Sequence, residues 1–185
     1  MLINNIQRII KSAFPLVLLI FFCSYIPIPY RLAQTIDTNA KYKVMFIYNF
    51  TKYFEWPQNY KEGNFVIGVL GNSSLLAELN TMASTKKVGN QSFEIKTFTN
   101  VGAITNCHML IVAPEVSTPL SEIIAKIKKN STLLITEKQG FAKQGAAINF
   151  VVQNNKPAFE LNKSSVEKHD LKVSKDLLTL AILVE

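Results

Sequence analysis

Hydrophobic and polar positions follow two different periods along this chain, and the longest regular stretch is KYKVMFIYNFTKYFEWP at 41–57. At about 100° per residue, Val44, Phe46, Ile47, Phe50, Tyr53 and Phe54 share one half of a helix, and Asn49, Lys52 and Glu55 share the other. So aromatic a face needs a large cover, and a sheet is the natural one. The spacing predicts a helix opened by Asp37 or Thr38 and running to about Trp56. Pro57 ends it, because the residue before a proline is pushed out of the α region. That places Glu55 in the last turn, where the helix dipole disfavours a carboxylate by about 0.3–1 kcal/mol. Lys52, three residues back, is within reach to offset this. Glu-Trp-Pro then reads either as a helix stop with the indole packed down, or as an aromatic and a carboxylate offered together at a surface.

Beyond it the period shortens. The run FVIGVL at 65–70 is continuous, apolar and β-branched, as a buried strand requires. Gly71 and Asn72-Ser73-Ser74 follow, predicting a turn into a helix that reaches about Met82. Strand, glycine and helix start a βα unit, and helix N-termini there hold anions. No lysine stands in the phosphate-binding place, so a tight turn is the simpler reading. Residues 86–91 read as a polar loop, 92–98 as a half-exposed strand, and 108–112 and 132–136 as buried strands. Between the last two, Thr118-Pro119 predicts a cap with proline at the first helical position, opening a helix to about Lys129 with a basic last turn. Short strands alternating with helices argue for a largely parallel sheet covered by helices. Then the pattern changes. Segments 146–152 and 157–161 are joined by a turn-rich Gln-Asn-Asn-Lys and predict a late β-hairpin. Ser164 to Glu167 fits a capping box, and Ser174 caps a final helix with Leu177, Leu178, Ala181 and Ile182 facing inward. The fold class predicted is α/β: a single-domain sandwich, with a mixed, mostly parallel sheet flanked by helices.

Residues 1–33 stand apart from that domain, which spans 34–185. Arg8 and Lys11 form a basic start, 13–26 is apolar, and Pro27 and Pro29 break any helix. That is the layout of a secretory signal, with a cleavage site near Ala33 or, alternatively, an uncleaved anchor. Cys23 lacks the small preceding residues of a lipoprotein processing site. Arg8, Lys11 and Arg31 leave with the segment and no acidic residue does, which takes the formal charge from +7 to +4. Every remaining basic residue is lysine. A nucleic-acid binder is expected to use arginine for bidentate readout, so the surface reads as solvated and mildly basic, with no nucleic-acid partner.

The chemistry is sparse. Cys107 has no partner in the exported form and is either buried at the start of a strand or an intermolecular link. His108 reads as a hydrogen-bonded core residue and His169, among Glu167, Lys168 and Asp170, as a solvated one. Two separate histidines and one cysteine give no metal-ligand spacing, and no nucleophile elbow is present. The expectation is no catalytic set, no metal and no cofactor. Glu55 and Glu160 stand out among the carboxylates because each adjoins an aromatic, Trp56 and Phe159.

FIYNFTKYFEWP followed by FVIGVLG resembles the opening of the YfiR-like family of periplasmic regulators. CHMLIV, GFAKQGAAINFVV, AFELN and LKVSKDLLTLA continue the resemblance in the same order, so it spans about 41–183. It implies a mixed sheet between helices and a non-enzymatic role in the periplasm. The implied action is restraint of the sensor region of an inner-membrane signalling enzyme, a diguanylate cyclase or a histidine kinase. A homodimer is a second assembly to expect. Better-known relatives have a partner for the cysteine of the Cys-His pair; this chain departs from that pattern. Within the family-like segments, Glu55, Trp56, Glu160 and Asn162 are the expected partner-binding residues. The alternative is a periplasmic small-molecule-binding module feeding a sensor kinase, with its ligand at the ends of the parallel strands.

Overall fold

The computed structural model describes residues 38–185, all within one compact unit. The expected signal segment at 1–33, the expected cleavage near Ala33, Cys23 and the Asp37 cap lie outside the described residues. Helix α1 (Thr38–Tyr53) buries Ala40, Val44, Ile47 and Phe50 on one stripe, with Phe46 and Tyr53 half-buried beside it. The aromatic face therefore points inward, as its spacing predicts.

Its end does not follow the prediction. The helix stops at Tyr53, and β1 (Phe54–Glu55) pairs antiparallel with β9 (Lys172–Val173), Phe54 opposite Val173 and Glu55 opposite Lys172. The Ser174 amide donates to the Tyr53 carbonyl at 2.9 Å and satisfies one of the helix's last acceptors. Glu55 is thus a strand residue and carries no dipole penalty. Lys52 turns away from it, toward Asn49 Oδ1 at 3.4 Å and to 4.8 Å over the Tyr48 ring.

Among the described residues the main sheet has eight strands, in the order β10-β8-β7-β6-β5-β2-β4-β3. The members are β2 (Phe65–Leu70), β3 (Lys87–Val88), β4 (Gln91–Phe98), β5 (Met109–Val112), β6 (Leu133–Thr136), β7 (Ile148–Gln153), β8 (Lys156–Asn162) and β10 (Ile182–Val184). The pairs from β4 through β2, β5 and β6 to β7 are all parallel. Antiparallel β3 and β8 flank them, and β10 adds to β8 in parallel. The expected hairpin is β7–β8. Its turn is Asn154-Asn155 with φ of 50° and 59°, the two-residue left-handed turn that matches strand twist and that asparagine tolerates. The predicted polar loop at 86–91 is instead a second small hairpin, β3–β4.

Alternate strand residues build two cores. Helix α1, helix α2 (Leu76–Thr85) and the 166–177 region cover one face, over Ile67, Met109, Leu133, Ile148 and Phe159. Helix α3 (Leu120–Ile127) covers the other, over Leu110, Val112 and Leu134. Pro119, not Thr118, takes the cap position, so α3 starts one residue later than expected. Near the end, helix α4 (Lys163–Lys168) is capped by Asn162, and helix α5 (Lys175–Leu180) is capped by Ser174. The expected inward face of α5 is shorter than read. Leu177 is buried, Leu178 is only half-buried, and Ile182 belongs to β10.

Candidate functional site

The sequence-predicted residues fall into separate places. Glu55 is exposed, while Trp56 is buried at 7% exposure and packs edge-on to Phe65, ring centroids 5.1 Å apart. Its indole Nε1 donates to the His108 carbonyl at 3.2 Å. Both line a groove of about 480 Å³ with Tyr60, Lys61, Gln91 and His108. Glu160, half-buried, lines another groove of about 420 Å³ with Lys43, Glu137, Gln139 and Phe150. The two grooves share no lining residue.

Asn162, one of the expected partner-binding residues, does not project outward. It is 5% exposed, its Nδ2 donates to the Ala142 carbonyl at 2.9 Å and its Oδ1 accepts from the Ser165 amide at 2.9 Å. It joins the 140–145 loop to the start of α4. His169 is likewise a correction: it is 6% exposed, with Nδ1 3.0 Å from the Asn130 carbonyl. Charged sequence neighbours masked a ring that turns inward.

His108 anchors the first groove. Its Nδ1 accepts from the Val66 amide at 3.0 Å, so the neutral ring carries its proton on Nε2, which donates to the Tyr60 carbonyl at 2.7 Å. The ring also stacks on Phe65 at 4.2 Å. Burial pushes the imidazole below its ordinary value of 6.5, outweighing the rise from the bond to the Tyr60 carbonyl. The unfolded chain then takes up a proton near 6.5 and the folded chain only at lower pH. This contribution is whole above that value and is lost as pH falls below it. Urea unfolding at pH 7.5 and 5.5 is expected to show a stability loss that shrinks in His108→Gln; an unchanged loss would assign the effect to other groups.

Cys107 lies 2% exposed beneath Gly68, and burial pushes its thiol up to about 12. Only the thiolate is nucleophilic, so the native protein is expected to resist iodoacetamide at pH 8 and to label on unfolding. Rapid native labelling would show the thiol to be accessible.

The second groove follows from strand register. Thr136 on β6, Asn149 on β7 and Glu160 on β8 stand opposite one another. Thr136 Oγ1 donates to Asn149 Oδ1 at 2.8 Å, and Asn149 Nδ2 donates to Glu160 Oε2 at 2.8 Å. This row orients the Glu160 carboxylate. One residue past β6, Glu137 pairs with Lys43 of α1. Sequence reading missed Glu137; a carboxylate immediately after a buried parallel strand was the available signal.

The strand-end crevice has its own occupant. Glu115 Oε1 accepts from the Asn72 amide at 2.6 Å, in the place an anionic ligand would take beside the 71–74 turn. A Cβ on Gly71 (φ +87°) would fall 2.6 Å from Val116. The turn is tight and filled by the chain's own loop, which disfavours a ligand there. Among the described residues, no group of three His, Cys, Asp or Glu is arranged to hold a metal. No helix among them is long and apolar enough to cross a membrane.

Comparison with curated proteins finds no match. The YfiR/HmsC-like family profile matches residues 40–182, a span that takes in α1 from its third residue, the main sheet up to the first residue of β10, and both grooves. The chain belongs to the YfiR/HmsC-like family.

Proposed function

We propose that this chain is an exported, non-enzymatic regulator that binds and restrains the periplasmic sensor region of an inner-membrane signalling enzyme, a diguanylate cyclase. The family match over 40–182 carries the reading. Residues 1–33 serve as the export signal, consistent with their basic start and proline-broken apolar run. The contact surface includes the carboxylates of Glu55 and Glu160, the first exposed and the second half-buried at the edge of a groove. Trp56 and Asn162, both buried, support that surface by holding the first helix's exit and the end of β8 in place.

Restraint of a cyclase predicts a rise in cellular cyclic di-GMP when the gene is deleted, reversed when the full chain is restored. The mature protein should be recovered in the periplasmic fraction with a new N-terminus near residue 34. An unchanged cyclic di-GMP level, or full-length protein confined to the cytosol, would contradict the proposal.

A further inference from the structure

Glu137 presents an unsolved hydrogen-bonding account. Its side chain is only 8% exposed and lines the second groove. Oε2 is held by the Lys43 ammonium, while Oε1 is buried with no hydrogen-bond partner among the described residues. Leaving a buried acceptor unmade costs about 1–3 kcal/mol, more for a charged group. A donor therefore belongs at this oxygen.

The surroundings define its kind. The charged groups of the groove are Lys43, Glu137 and Glu160, one positive and two negative. Lys43 is already engaged with Glu137, and no ion pair among the described residues compensates Glu160. The Thr136–Asn149–Glu160 row fixes Glu160 Oε2 in place. Phe150, Val151 and Val152 supply the apolar part of the lining, with Val152 two-thirds exposed. A volume of about 420 Å³ falls within the ordinary range for small-ligand sites.

We propose that the Lys43–Glu137–Glu160 groove binds an organic cation: an ammonium or guanidinium group, donating to the two carboxylates, on a short apolar carrier lying against Phe150 and Val152. Oε1 has almost no surface of its own, so entry includes a shift of the flexible Lys43 side chain. This inference goes beyond the receptor reading and stands without it, because it concerns the isolated chain. The same cationic group can arrive on a free small molecule or on a polypeptide, and the experiment separates the two sources.

The test is calorimetric titration of the folded protein with two probes: agmatine, and the capped peptide acetyl-Gly-Arg-Gly-amide. Saturable one-to-one binding of at least one probe is expected, at least tenfold weaker in Glu137→Gln and in Glu160→Gln, each verified as folded by its melting curve. Tighter binding of agmatine assigns the site to free amines. Tighter binding of the peptide assigns it to a basic side chain in a polypeptide. No saturable binding of either probe up to 10 mM, or binding equal in wild type and both variants, overturns the proposal. The cyclic di-GMP experiment on the deletion strain is independent of this result.

Discussion

Trp56→Ala is expected to lower the stability of this protein by about 3–5 kcal/mol, the usual loss for truncating a packed aromatic core residue. The indole sits among Phe54, Phe65 and His108, with ring centroids 5.1 to 6.3 Å away. Its hydrogen-bond acceptor, the His108 carbonyl, also accepts from the Leu133 amide at 2.8 Å. Truncation therefore leaves no orphaned acceptor, and the loss is one of packing. Against a typical total of about 5–15 kcal/mol, that is a large share. Trp56→Phe, which keeps a ring, should lose much less. Glu55→Ala next door is exposed and should stay within about 0.5 kcal/mol. Urea unfolding of the three variants measures this directly. A Trp56→Ala protein within 1 kcal/mol of wild type would mean that the indole is kept for a partner instead of the core.

That contrast shows what sequence could and could not separate. The aromatic stripe of α1 was legible because a single helix face repeats at a fixed spacing. The buried strands were legible as continuous apolar runs, and the hairpin turn because two asparagines tolerate positive φ. The helix end was not legible. Phe54 and Glu55 leave the helix to pair with residues 172–173, a partner more than a hundred positions away that no local propensity reveals. The same holds for β10. Ile182 fits a helical inward face by spacing, yet its β-branched neighbourhood pairs with Glu160 to Asn162. His169 and Asn162 carry no sequence signal of burial, because polar residues usually face solvent; each is buried beside a main-chain carbonyl. Glu137 went unseen because its significance depends on Lys43, a residue 94 positions earlier.

Register also changes which substitution at Glu160 is informative. Asn149 is fully buried and donates to Glu160 Oε2. Glu160→Lys replaces that acceptor with a donor and leaves a buried amide unsatisfied, at a cost of about 1–3 kcal/mol. The charge reversal therefore carries a measurable stability cost of its own. Glu160→Gln keeps an acceptor oxygen for Asn149 and removes only the charge, so it separates recognition from folding.

Cyclic di-GMP should therefore be measured in the deletion strain carrying either wild-type chain or Glu160→Gln, at matched periplasmic protein levels and with the melting temperature of each protein known. The account predicts a folded Glu160→Gln protein, melting within a few degrees of wild type, that leaves cyclic di-GMP near the level of the uncomplemented deletion. A folded variant that lowers cyclic di-GMP as fully as wild type would contradict a receptor contact through the Glu160 carboxylate.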